Sequence, residues 1–562
     1  MKLFDGIAIA ENIRVARLLN DVPPEQYPLP VKSFAALCEQ RAAQMPDKIF
    51  LSYYNDDTGE QSQFSFAKIN RRVNQLANFL RERHGVQRGE KLAIVSFNHP
   101  DSIIACFACW KLGVVATPQN ASEDDSRIAF ILSNADCRVA LVRPEYRERM
   151  LAIQKQVTCL KAIVVMDGEL DAALNTLSAN FTPPADNMLE DEALLVYTSG
   201  TTGAPKGVMQ AQCNLLTNCK AAESWLNLTD DVRMMCVLPV HHVNGLIVTH
   251  VLPMYVGGSV VLNRGFKASV FWQRLAQHKI HYVSVVPTIL QFLCEANEDV
   301  SGHELSNFRS VLCGAGTLSV SLVTRFQEQF GLNIMHGYGL SETTAFACLT
   351  PNDLSRDEQR HWLVHYGYPS IGVAMDCNEM AILDPQGKIC SAGEKGEIVL
   401  RGHNVMVGYF KRDDANAEAF QFGWFRSGDE GFYQRDKRGR QFYFITGRIK
   451  ELINRGGVKY SPFEIEEVLQ SIPGVKVGLA IAFDNEWYGE EVGAYIVTEE
   501  GADLSEGQVL AACRKSMPFS KSPKAIKFGT DIPVTTTGKY QRLKLKDLFR
   551  EYRDTQFKDA GR

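Results

Sequence analysis

Apolar residues recur along the first 300 positions in two alternating rhythms. Over 34–45, 66–83 and 101–112 they fall three and four apart, the period of a helix that buries one face. Over 91–97, 139–142, 162–165, 259–262 and 282–286 they form short unbroken runs rich in Val, Ile, Leu and Ala, which predict strands buried on both faces. The runs 49–54 and 63–66 flank Asp56-Asp57-Thr58-Gly59 and predict a hairpin, and a further helix is expected over 270–278. Strands alternating with helices imply an α/β fold of layered, parallel-type sheets, with ligand loops at the strand ends. After Lys450 the rhythm changes. A helix over 462–469, strands over 475–483 and 491–498, a helix over 505–517, a strand over 524–528 and a last helix after Gln541 make a small α+β unit. The chain thus divides into a large N-terminal domain, 1–449, and a small C-terminal domain, 450–562.

Two stretches invite other readings. Residues 245–262 lack Asp, Glu, Lys and Arg and approach the length of a membrane span, but His250, Pro253 and Gly257-Gly258 argue for a buried helix turning into a strand. Cys106-Phe-Ala-Cys109 has metal or redox spacing, yet its apolar flanks point to core packing. At 562 residues, 45% hydrophobic and 22% charged, the composition is that of an ordinary globular protein of two or more domains. A net charge of -5 gives no basic field for nucleic acid. Fourteen cysteines in so long a chain are no disulfide framework and suit a reducing, cytoplasmic setting. The apolar start is too short for a signal peptide and the last residues are no peroxisomal tail.

The richest chemistry follows the apolar run Ala193-Leu194-Leu195-Val196. There the chain reads Tyr197-Thr198-Ser199-Gly200-Thr201-Thr202-Gly203-Ala204-Pro205-Lys206-Gly207. Gly200, Gly203 and Gly207 let backbone N–H groups converge on phosphate oxygens. Thr198, Ser199, Thr201 and Thr202 add hydroxyl donors, and Lys206 adds a positive charge. No Gly-Lys-Ser/Thr closes the loop, which excludes a Walker A site. Further along come Leu238-Pro239-Val240-His241-His242-Val243-Asn244-Gly245, then Cys313-Gly314-Ala315-Gly316-Thr317-Leu318, then His336-Gly337-Tyr338-Gly339-Leu340-Ser341-Glu342-Thr343-Thr344. Trp424-Phe425-Arg426-Ser427-Gly428-Asp429, Gly447-Arg448-Ile449-Lys450-Glu451-Leu452-Ile453 and Pro533-Val534-Thr535-Thr536-Thr537-Gly538-Lys539 complete the set.

In this order the segments resemble the motifs of the acyl-adenylate-forming superfamily, which includes acyl-CoA ligases, firefly-type luciferases and peptide-synthetase adenylation domains. The resemblance runs from about residue 34 to about residue 549. It implies a role for each segment. The loop from Thr198 to Lys206 would hold the β- and γ-phosphates of ATP. Gly314, Ala315 and Gly316 would pack on adenine, with Gly337, Tyr338, Gly339 and Ser341 beside it. Glu342 would bind Mg2+, a hard cation that favours carboxylate and phosphate oxygens. Asp429 would accept hydrogen bonds from both ribose hydroxyls, and Arg448 would add a donor. Lys539 would bridge the attacking carboxylate and the α-phosphate. Lys450 would be the hinge of a mobile small domain. His242 would close the acyl pocket, with Val243, Asn244, Gly245, Ala345 and Phe346 as substrate contacts. Two positions depart from the usual pattern: Ser341 stands where many members have Thr, and Val534 where a basic residue is common.

The implied reaction joins a carboxylic acid to coenzyme A through an acyl-AMP. Arg455-Gly456-Gly457-Val458 resembles the ligase form of its segment, where glycine lets the pantetheine thiol pass. An enzyme loading a carrier protein is the alternative, although Val-His-His stands where amino-acid-activating members place an Asp. A luciferase-like oxygenase shares every motif, and a non-catalytic nucleotide-binding regulator is the reading from another class. The pocket candidates are apolar or small and include no cation, which fits an apolar, fatty-type acid. A homodimer and a peripheral membrane contact stay open; a nucleic-acid partner does not.

Overall fold

The computed structural model describes residues 6–185, 187–198, 205–534 and 540–558. Helices start and stop where capping chemistry allows. Phe34–Gln44 is capped by the Ser33 side chain and Phe66–His84 by Ser65, which accepts from the Lys68 N–H. Pro100–Leu112 begins on proline, and Gly113, left-handed at φ 70°, ends it. The buried runs become Lys91–Ser96, Val139–Val142, Ala162–Val165, Ser259–Asn263 and Tyr282–Val285, and Ile49–Asn55 with Glu60–Ser65 makes the expected hairpin.

Among the described residues these strands gather into two large sheets. One has nine strands and a parallel centre, Ile49–Asn55, Ser259–Asn263, Arg233–Cys236, Tyr282–Val285, Ser310–Cys313 and Ile334–Tyr338, with antiparallel edges. The other has seven strands and runs parallel from Glu192–Thr198 through Val115–Asn120, Lys91–Ser96 and Val139–Val142 to Ala162–Val165. Helix Pro100–Leu112 is buried on nearly every side, with Trp110 donating to the Ala193 carbonyl. Cys106 and Cys109 are core residues, and burial pushes the Cys106 thiol up to about 12.

The expectation of parallel-type sheets needs one correction. Residues 378–448 form a third, wholly antiparallel sheet of Asn378–Leu383, Gly396–Gly402, Phe425–Arg435 and Gln441–Arg448. Its long strands alternate buried and half-exposed positions, as sheets with one wet face do. The apolar stretch 245–262 is a helix turning into a strand, but its first part, Asn244–Val251, is π-helical, followed by the α-helical turn Leu252–Val256. No helix among the described residues is long and apolar enough to cross a membrane.

Beyond Lys450 a five-stranded sheet is built on the antiparallel pair Val475–Asn485 and Gly489–Thr498. Helices Pro462–Gln470 and Glu506–Ser516 pack on it, around Ile465, Leu469, Val492 and Val509. The last helix, Arg542–Tyr552, is of the tighter 3-10 kind and buries Leu545 and Phe549.

Candidate active site

Strand Glu192–Thr198 pairs antiparallel with Lys206–Ala211, and Thr198 faces Lys206 at the open end of the ladder. Ser199, Gly200, Thr201, Thr202 and Gly203, assigned to phosphate binding, lie outside the described residues. Lys206 lies with its Nζ 4.8 Å from the centre of the Tyr409 ring. The Tyr409 hydroxyl donates to Glu342 Oε1 at 2.8 Å. Burial, then the Glu342 charge, pushes that phenol well above its ordinary range. One tyrosine thus joins the strand carrying the lysine to the turn carrying the carboxylate, although the three residues are far apart in sequence.

The Glu342 turn is fixed by close packing. A Cβ on Gly339 would lie 1.5 Å from the Ala345 carbonyl oxygen, so no other residue fits there. Thr344 takes φ 68°, unusual for a β-branched residue, and its hydroxyl donates to Gln210 Oε1 and the Asn404 carbonyl at 2.9 and 2.8 Å. Gln210 in turn donates to the Ser341 carbonyl. In the neighbouring loop, a Cβ on Gly314 would sit 2.7 Å from the Gly337 carbonyl, and Ala315 is left-handed at φ 62°. His336 is buried and held near pKa 4 by that burial, so it is neutral at physiological pH.

Asp429 and Arg448 face each other across the antiparallel strands Phe425–Arg435 and Gln441–Arg448. Asp429 is only 3% exposed. Arg448 Nε lies 2.8 Å from its Oδ1, and the Tyr338 hydroxyl donates to Oδ2 at 2.6 Å. The Asp429 charge raises the guanidinium further above its usual range. Each carboxylate oxygen keeps a second lone pair, so the pair can still accept two hydroxyl donors.

The acyl-pocket candidates fall on two segments, the start of helix Asn244–Val251 and the residues after the Ser341–Thr343 turn. A Cβ on Gly245 would meet the Pro239 carbonyl oxygen at 2.3 Å, so glycine lets the π-helix start against the preceding turn. Asn244 Oδ1 accepts from Ser284 Oγ at 2.7 Å, at the carboxyl end of strand Tyr282–Val285. The His241 and His242 rings are 4.3 Å apart, and burial, then His242, drives the His241 imidazole well below its ordinary pKa. His250 is likewise neutral, held near 4 by burial, with Nδ1 on the Gly245 carbonyl at 2.7 Å. Val243, Ala345 and Phe346 are buried.

A cavity of about 540 Å³ runs between the two domains. The large domain lines it with Gly316, Gly337, Tyr338, Gly339, Asp429 and Arg448, and the small domain with Glu466, Glu467, Tyr540 and Arg542. His242, Asn244 and Phe346 are not on its wall. Lys539 lies outside the described residues; Tyr540, next in the chain, is on the wall. Lys450 sits in the short 3-10 turn Ile449–Glu451, exposed, with its Nζ 3.5 Å from Glu418. Gly456 and Gly457 form the turn after Ile453–Arg455 at φ 59° and 87° and do not line the cavity.

The sequence reading missed several residues the site depends on. Tyr409, Gln210 and Ser284 each reach a candidate residue only through tertiary packing, and no local spacing announces them, whereas Thr344 stands within the His336–Thr344 segment with no role assigned to it. Arg542, three positions after Lys539, carried the one usable hint: a basic residue beside a lysine motif. Among the described residues no cluster of three or more His, Cys, Asp or Glu could hold a metal alone.

Comparison with known proteins gives the family. Residues 38–410 match the model of the AMP-binding enzyme family, and residues 464–539 match that of the AMP-binding enzyme C-terminal domain. A sulfoacetate–CoA ligase of Cupriavidus necator is 33% identical over 91% of this chain and 97% of its own. An oxalate–CoA ligase of Arabidopsis thaliana is 30% identical over 92% and 99%. The crystal structure of the anthranilate CoA ligase AuaEII with anthranoyl-AMP superposes with a TM-score of 0.83, at 25% identity, over 94% of this chain and 99% of that one. Motif order, fold and relatives coincide over nearly the whole length, and the chain therefore belongs to the AMP-binding enzyme family, as an AMP-forming acid–thiol ligase.

Proposed function

We propose that this ligase joins a carboxylic acid with an uncharged, largely apolar tail to coenzyme A at the expense of ATP. The acid's carboxylate attacks the α-phosphorus, pyrophosphate leaves, and the coenzyme A thiol then attacks the acyl carbonyl and expels AMP. The observation that carries the reading is the interdomain cleft. It sets Asp429, Arg448 and the Gly337–Gly339 loop opposite the small-domain segment that follows Lys539.

In this reading Asp429, already oriented by Tyr338 and Arg448, holds the ribose. Lys206 faces the β- and γ-phosphates, and Lys539 stabilises charge as the carboxylate meets the α-phosphate. Thr198, Ser199, Gly200, Thr201, Thr202 and Gly203 supply phosphate donors. A magnesium ion fits at Glu342: its Oε1 is fixed by Tyr409, and no cation lies within ion-pair distance among the described residues. Such an ion would neutralise phosphate charge and take its other ligands from ATP and water. After small-domain rotation at Lys450, Gly456 and Gly457 would let the thiol pass. Fourteen unpaired cysteines support a cytoplasmic setting.

For the acid, Val243, Asn244, Gly245, Ala345, Phe346 and the histidines at 241, 242 and 250 bring no Lys or Arg, and His241 and His250 are neutral. The second anionic group of an acid like those of the two relatives above finds no partner there. Fatty and aryl acids fit better, with the Asn244–Ser284 pair as the one polar contact. Pyrophosphate release across octanoate, decanoate, benzoate, anthranilate, oxalate and sulfoacetate, with and without coenzyme A, tests this. Uncharged-tail acids should lead, and thioester should form only with coenzyme A present. A preference for oxalate or sulfoacetate would overturn the acid assignment alone, whereas no thioester with any acid would overturn the ligase reading.

A further inference from the structure

Helix Pro462–Gln470 carries three glutamates within one turn, and the helical period sends them to different partners. Glu464 and Glu467, three apart, share a face toward the large domain. Glu466, between them, points into the small one.

Glu464 accepts from the Tyr368 hydroxyl and from Lys395 Nζ at 3.1 Å, both on the large domain, and from Lys521 beside it. Burial alone would raise this carboxyl, but Lys521, Tyr368 and Lys395 hold it down at about 2. Glu467 accepts the Val320 N–H at 2.8 Å. Val320 opens the eleven-residue helix Val320–Phe330 of the large domain, so the Glu467 carboxyl sits on one of that helix's orphan donors. Glu466 is 4% exposed and takes a bidentate bond from Arg542, with Nε and Nη2 at 2.8 and 2.7 Å. Arg542 also reaches Glu451, next to Lys450, at 3.2 Å. The same helix therefore grips the large domain with two residues and anchors the segment that follows Lys539 with the third.

We propose that Glu464 and Glu467 are positioning residues for acyl-AMP formation: they hold the small domain in the pose seen here, in which Tyr540 and Arg542 line the nucleotide cleft. They touch neither ATP nor the acid. Their contacts belong to this pose alone, because the Gly456–Gly457 turn is off the cleft wall and must be brought to it for the thiol step. The Glu466–Arg542–Glu451 bridge lies within the small domain and travels with it. The inference rests on the two-step ligase reading above.

The test separates the two half-reactions, using the acid that releases pyrophosphate fastest in the panel above. The double variant Glu464→Ala/Glu467→Ala should slow single-turnover acyl-AMP formation about 10- to 100-fold, the size of effect that loss of alignment produces. Thioester formation from presynthesised acyl-AMP and coenzyme A should stay within about twofold of the wild-type rate, which a merely misfolded protein cannot do. The large-domain variant Tyr368→Phe/Lys395→Met should give the same split with the small domain untouched. Hydrogen exchange in the ligand-free protein gives an independent readout: the amides at the start of helix Val320–Phe330 should exchange faster in the glutamate variant. Equal losses in both half-reactions, or adenylation at the wild-type rate, would overturn the positioning role. Wild-type protein that forms acyl-AMP but no thioester would instead count against the ligase reading.

Discussion

Gly339 shows how little freedom the nucleotide turn has. Any side chain there would place its Cβ 1.5 Å from the Ala345 carbonyl oxygen, far inside contact distance, so Gly339→Ala must push the Ser341–Thr343 turn aside. Adenylation should fall by about 10²-fold, the order of loss expected when reacting groups are misplaced by an ångström. Pyrophosphate release against ATP concentration measures it, and a wild-type rate would mean the turn is free to shift. Glu342→Gln keeps the shape and the Tyr409 contact but gives a hard cation a poor ligand. The expected result is a raised magnesium requirement with an unchanged unfolding midpoint; wild-type adenylation at limiting magnesium would remove Glu342 from the metal site. At this scale the sequence was informative wherever a motif is local. Asp429 and Arg448 are named by their own short segments, whereas Tyr409 and Gln210 act through contacts 67 and 131 residues away in the chain, which no window of sequence contains.

Elements repeat the same division. Buried parallel strands and amphipathic helices were legible because each carries its own apolar period; the caps Ser33, Ser65 and Gly113, not used in that reading, mark their ends in the structure. The antiparallel sheet of residues 378–448 was not, because Phe425–Arg435 mixes Arg426, Asp429, Glu430 and Arg435 among its positions and has no unbroken apolar run. The π-helical start of Asn244–Val251 was equally hidden: the side chains of Thr249 and His250 both bond the Gly245 carbonyl there, contacts that apolar periodicity does not register. Helix Pro462–Gln470 carries a prediction of its own. Burial pushes Glu467 up to about 7, against the pull of the Val320 N–H, with the Glu466 charge adding to the rise and Arg542 bound to that neighbour. A carboxyl whose pKa is raised in this folded, docked state favours that state fully below its ordinary value near 4.5, and that support is lost as pH rises through about 7. Adenylation should therefore lose part of its rate between about pH 6 and 8, and Glu467→Gln should flatten this limb while keeping the docked pose. A pH profile of single-turnover acyl-AMP formation decides it; an unchanged limb in the glutamine variant assigns the titration elsewhere.

The whole molecule must serve two reactions at one acyl group. In the pose described, the segment after Lys539 lines the cleft, and the Gly456–Gly457 turn does not. Both belong to the small domain, so in the two-step reading proposed above rotation of that domain would exchange them, with the exposed turn Ile449–Glu451 as the short connection to absorb it. Two opposite splits follow. In the proposed role Lys539 acts on charge in the first transition state only, so Lys539→Ala should lower adenylation by about 10²–10³, while thioester formation from supplied acyl-AMP survives. Lys450→Pro should do the reverse, because proline fixes one backbone torsion of the hinge. Acyl-AMP should form near the normal rate in this variant and pass to coenzyme A very slowly. Gly457→Leu should match it for two reasons: φ of 87° strains any side chain, and a leucine would fill the open space beside this turn, which in the proposed reading the thiol passes. Single-turnover measurement of each half-reaction in the three variants distinguishes the outcomes. If Lys450→Pro lost both halves equally, its effect would have passed through Arg448 two residues away, whose guanidinium holds Asp429, and the hinge would have to be placed elsewhere.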